Sequence, residues 1–173
     1  MTNEVVAALV GTGVGGVIGF ASTYVLHVLS QGQRDAAVRK QIVNLMRVLE
    51  QRMLVVAVHR GVPLDRWVAL DLLTERVFST DGATALRGFH DRIFSAAAEM
   101  QQIRATIDHT HGKLTEPRFV QYGEKIITTR ASSEEIAQWR EEIKAAGRRG
   151  IDVLREARKE LGDTTVTTDP IVS

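Results

Sequence analysis

The chain has 173 residues, of which 44% are hydrophobic and 25% charged, with a formal net charge of +1 and no cysteine. That length holds one domain plus a membrane anchor rather than two ordinary domains beside a span. The near-neutral balance argues against a nucleic-acid-binding protein. The missing cysteine excludes a disulfide framework, a thiolate zinc site and a cysteine nucleophile.

The average composition hides an asymmetry. Every Lys and Arg lies after residue 30, and the first thirty residues carry one formal charge, Glu4. From Val5 to Leu29 the chain reads VVAALVGTGVGGVIGFASTYVLHVL, without Asp, Glu, Lys or Arg. As a helix rising about 1.5 Å per residue it spans roughly 37 Å, enough to cross a hydrocarbon core of about 30 Å with some tilt. Each Val, Leu, Ile or Phe favours insertion by roughly 0.3–0.6 kcal/mol. A transmembrane anchor over residues 1–32 is therefore expected, with the bilayer as its partner.

Two other readings of this segment fail on context, and a third, a long buried helix of a soluble protein, ranks below the span. A cleaved signal peptide wants a basic n-region and an A-x-A site, and neither is present. Gly11, Gly13 and Gly16 satisfy G-x-G-x-x-G, but no second strand ending in an acidic residue follows and no strand–helix alternation develops. The small residues Ala7, Gly11, Gly15, Gly19 and Thr23 recur every four positions, which stacks them on one helix face and lets another backbone approach closely. In lipid such packing is a main source of helix association. They are the candidate helix–helix interface and imply a homo-oligomer. Arg34, Arg39, Lys40 and Arg47 crowd the carboxy-terminal flank, so an inner-membrane protein with its amino terminus outside and its domain in the cytoplasm is expected.

Residues 33–162 read as a helical domain. Past a polar joint at Ser30–Gln33, the residues Val38, Ile42, Leu45, Met46, Leu49, Met53 and Val56 recur at helical spacing, up to Gly61-Val62-Pro63. Pro63 opens a second helix through Leu64, Trp67, Val68, Leu72 and Val77, ending at Ser79–Gly82. A third runs from about Ala83 to His111 through Leu86, Phe89, Ile93, Phe94, Met100, Ile103 and Ile107, with Gly112 as its stop. Residues 116–130 favour a shorter helix, although Ile126–Thr129 is locally strand-like. Ser132 and Glu135 form a capping box for a last helix through Ile136, Trp139, Ile143, Val153 and Leu154 to about Leu161, loosened at Gly147 or Gly150. Residues 163–173 are expected to be a disordered tail. The fold class is all-α: one amino-terminal transmembrane helix followed by a four- or five-helix soluble bundle.

No catalytic, metal or cofactor site emerges. Carboxylate-bridged metal centres in bundles need Glu-x-x-His on facing helices, and none occurs. Asp108 and His111, with His109 nearby, have a ligand-like offset but lack a second inward cluster. His27, His59 and His90 are isolated. Arg148, Arg149, Arg155, Arg158 and Lys159 are interleaved with acidic residues and read as a solvated, salt-bridged face. Trp67 and Trp139 read as core. The expected function is non-enzymatic: a self-associating membrane anchor whose helical domain binds a protein partner as scaffold, sensor or regulator. The alternative is a membrane-active pore-forming or gating effector, phage- or defence-related.

Overall fold

A computed structural model describes the backbone of residues 2–58, 67–115, 117–122, 125–129 and 131–165, and the side chains of 27–58, 67–115, 117 and 131–165. Helix α1 runs unbroken over Thr2–Ala57. The expected polar joint at Ser30–Gln33 is therefore part of one rod roughly 84 Å long at about 1.5 Å per residue. Its lower half carries the core stripe read from the sequence. Val38, Ile42, Met46, Leu49, Met53 and Val56 are all buried, and Leu45 packs against them half-buried.

Helices α2 (Val68–Phe78), α3 (Thr80–Ala85), α4 (His90–Thr115) and α5 (Ser133–Glu160) complete the bundle. α1 and α4 sit diagonally, each packed against α2 and α5, and α3 lies against α1. α2 runs back along α1: residues Gln41–Val48 line one groove with Leu72–Ser79, and Gln31–Gln41 line the next with Arg76, Asp81 and Thr84. α5 does the same on the other side, bringing Gly147 to Ala57 and Arg158 to Glu50. The helical bundle of the sequence reading holds. Among the described residues no helix is long and apolar enough to cross a membrane. The span expected over 5–29 falls, up to position 26, on residues whose side chains lie outside that description.

Several local expectations change. Residues 118–129 form no helix but a two-stranded antiparallel hairpin, β1 (Arg118–Tyr122) with β2 (Lys125–Thr129), Tyr122 pairing with Lys125 across a two-residue connection. Pro117, which cannot continue α4, and two runs rich in aromatic and β-branched residues explain the change. The expected third helix is two. Ser79 caps α3 by accepting from the Gly82 amide, and the chain then turns through Leu86–Phe89, where Gly88 takes a φ of 92°. α4 passes Gly112 and ends at Thr115. On α2 the phase differs from the reading: Leu70 and Leu73 are buried, while Val68 and Leu72 are exposed, as is Phe94 on α4. The start near Pro63 lies outside the described residues.

The capping box at α5 forms as expected. Ser132 Oγ accepts from the Glu135 amide at 3.2 Å and Glu135 accepts from the Ser132 amide at 2.8 Å. Gly147 and Gly150 do not loosen α5; they let it approach α1. A Cβ on Gly147 would stand 2.9 Å from the Ala57 nitrogen, and one on Gly150 would press on Met53.

Gly147→Ala should therefore lower stability by about 1–3 kcal/mol, because the clash is with backbone and outweighs alanine's better helix propensity. Gly32→Ala, on α1 with nothing near the added methyl, should be neutral or up to about 1 kcal/mol stabilising. Denaturant titration followed by circular dichroism checks both.

Candidate functional site

The expected interface residues Ala7, Gly11, Gly15, Gly19 and Thr23 all lie on the α1 backbone, and their side chains are outside the described residues. Below them α1 is exposed from His27 to Arg34, Val28 at 48% and Leu29 at 60%, before the bundle closes around it from Val38 onward. α1 thus leaves the bundle with its apolar side chains open at the exit.

Deeper in the bundle, about 18 Å along α1 from Val38, the helix is gripped by a cluster that sequence spacing did not reveal. Glu50 is fully buried on α1 and Arg158 almost fully buried on α5, and the two are ion-paired. Arg155 Nε donates to the other Glu50 oxygen at 2.7 Å. Gly162, at φ 80°, ends α5 in a left-handed turn: its amide bonds Lys159 O and the Asp163 amide bonds Arg158 O, both at 3.0 Å. That turn swings Asp163 back onto the cluster. Its carboxylate accepts from Arg158 Nε at 2.8 Å and from both ends of the Arg47 guanidinium at 3.0 and 2.9 Å. Arg158 also donates to the Thr165 hydroxyl at 2.9 Å. Residues 163–165, expected to begin a disordered tail, are tied into the bundle; 166–173 lie outside the described residues. The solvated face read at Arg155–Lys159 is corrected at Arg158, which faces α1.

The two Arg guanidiniums, Arg47 foremost, hold the Asp163 carboxyl far below the usual carboxylate range against the opposing effect of burial, and the Thr165 bonds add to them; Asp163 in turn raises Arg47. Bidentate pairing of this kind fixes geometry as well as charge.

On the far side of α1 an open groove of about 560 Å³ separates it from α2. Gln41, Asn44, Leu45 and Val48 form one wall and Leu72, Glu75 and Arg76 the other. Val48 and Leu72 are 43% and 47% exposed. Arg76 Nε is buried without a hydrogen-bond partner among the described residues.

Other candidates resolve into structure. Trp67 is buried and donates from Nε1 to Asp108 at 2.9 Å, with the Arg104 guanidinium 5.7 Å from its ring centre. Asp108 is thereby committed to holding Trp67. Trp139 is buried. His90 lies beside the exposed Phe78–Phe94 ring pair. No group of three His, Asp or Glu side chains among the described residues is placed to hold a metal ion.

Asp163→Asn should lower stability at neutral pH by about 1–3 kcal/mol, since it takes the charged acceptor from the Arg47 guanidinium and leaves Arg158 with Glu50 as its ion-pair partner. Because the folded Asp163 pKa is depressed, the contribution is complete above the unfolded value near 3.9 and is lost as pH falls from there toward the folded value. The gap between parent and variant, measured by denaturant titration, should therefore stay constant from pH 7 to about 5 and narrow below about 4.

No protein-family model, curated protein or solved structure matches the chain, so its function has to be argued from this arrangement alone.

Proposed function

We propose that the protein is a non-enzymatic, single-pass membrane protein that self-associates through its first helix and presents a cytoplasmic helical bundle to a protein partner. The observation that carries this reading is the continuity of α1. One helix holds an uncharged segment of membrane-spanning length and, without a break, the core stripe of the bundle. Irregular backbone at the bilayer surface would have left the two halves free to swivel; a helix does not. An apolar helical arm projecting from a charged bundle is costly in water and favourable in lipid. Arg34, Arg39 and Lys40, all exposed, stand at the level where a span ending near Leu29 meets the cytoplasmic surface, which supports the orientation.

The ridge Ala7, Gly11, Gly15, Gly19 and Thr23 is the proposed contact between copies within the bilayer. The protein partner of the bundle is one of the scaffold, sensor or regulator class.

Full-length protein should stay in the pellet after carbonate washing and be released by detergent, because an inserted helix is far harder to extract than an electrostatic attachment. Recovery in the carbonate supernatant would refute the anchor. Liposomes carrying the purified protein should retain an entrapped dye; release would favour the pore-forming alternative over the adaptor.

Gly15→Leu should weaken self-association in a reporter of transmembrane helix pairing, since the branched side chain separates backbones that meet there. Val17→Leu, about 200° around the helix, should associate like the parent. Equal behaviour of the two variants would remove the ridge as an interface.

A further inference from the structure

At the end of the bundle nearest the exit of α1, a pocket of about 470 Å³ lies between α1, the end of α2 and α3. Its volume falls within the range of about 300–1,000 Å³ that small-molecule sites occupy. Gln31, Arg34 and Asp35 of α1 line it on one side, and Arg76, Asp81 and Thr84 on the other. With two guanidiniums and two carboxylates, the lining is densely charged but neutral in sum. Those charges are not spent on one another. Arg34 and the half-buried Asp35 make no ion pair or hydrogen bond among the described residues, and Arg76 Nη1 reaches Asp81 only at 4.0 Å. The charged groove between α4 and α5 differs in this respect, since there Arg92 is paired with Glu160 and Glu99 with Arg149.

We infer that the pocket holds the phosphoethanolamine headgroup of a membrane lipid, its phosphate accepting from the Arg34 and Arg76 guanidiniums and its ammonium donating to the Asp35 and Asp81 carboxylates. Charge selects the class of ligand. A purely anionic headgroup would face two carboxylates and a simple cation two guanidiniums, whereas a compact zwitterion supplies a partner of opposite sign to all four. Arg76 takes part through its terminal nitrogens, on a side chain that is 33% exposed. The amine follows from donor chemistry. A primary ammonium has three N–H donors for Asp35, Asp81 and the Thr84 hydroxyl oxygen, whose own proton goes to Thr80 O. Choline has no such donor and is held by aromatic faces instead, and no aromatic side chain among the described residues lines the pocket. Depth points to a lipid as the source. Gln31 lies about 3 Å and Arg34 about 7.5 Å past Leu29 along α1, within a headgroup layer of about 5–7.5 Å per leaflet.

The lipid source rests on the anchored reading, because depth is counted from Leu29. The pocket chemistry itself would also accept free phosphoethanolamine.

Full-length protein in detergent, given equal amounts of phosphatidylethanolamine, phosphatidylcholine and phosphatidylglycerol, should retain the first several-fold over the others in native mass spectrometry. Arg34→Gln and Asp35→Asn should each weaken that preference several-fold, and Asp35→Asn combined with Asp81→Asn should shift it toward phosphatidylglycerol. Arg39→Gln and Lys40→Gln, exposed about one turn further along α1 and outside the lining, should keep the parent preference. All of these variants should share the parent's circular dichroism melt. Equal retention of the three lipids, or a preference lost as readily in Arg39→Gln as in Arg34→Gln, would overturn the site. Free O-phosphoethanolamine should compete poorly; if it displaces phosphatidylethanolamine as readily as an equal amount of that lipid does, the lipid source falls. Carbonate washing of membranes separates the pocket from the anchor. A pelleted chain without the preference loses the pocket and keeps the anchor, and a carbonate-soluble chain with the preference does the reverse.

Discussion

The register between α1 and α5 is set by charges that have nowhere else to go. Removing a carboxylate or guanidinium from water costs several kcal/mol per ion even after relaxation, and only a partner of opposite charge with good geometry offsets it. Glu50 and Arg158 are buried against one another, with Arg155, Asp163 and Arg47 around them. Breaking the buried Glu50–Arg158 pair would cost about 3–5 kcal/mol, so α5 is held at the register that keeps it. The glycines make the same demand by shape. α5 can come this close to Ala57 only where it carries Gly147, and to Met53 only where it carries Gly150. Attraction and close approach thus select one alignment, and α2 and α4 pack onto the pair that results.

That alignment ties the fate of the bundle to the fate of α1. Within the bundle α1 packs against α2, α3 and α5, so the helix cannot rotate or slide without breaking that packing. A rigid coupling suits a protein whose bundle must be held at a fixed height and orientation relative to a bilayer. It suits less well a device in which the first helix moves against the domain it carries.

Much of this was legible in the sequence because it depends on near neighbours. The stripe from Val38 to Val56 follows from periodicity, and the capping box from Ser132 and Glu135, where the partners are three residues apart. What was not legible depends on distant partners or on short elements. Arg158 looks like any surface arginine until α1 supplies Glu50, more than a hundred positions away. Val68 and Leu72 obey helical spacing as well as Leu70 and Leu73 do, and only the placement of α1 and α4 decides which pair is covered. The hairpin at 118–129 was misread because its strands are five residues each, too short for periodicity to tell them from a helix. Pro117 and the β-branched run were the better guides. The candidate interface residues Ala7, Gly11, Gly15, Gly19 and Thr23 were legible as a four-residue spacing, which depends on no distant partner.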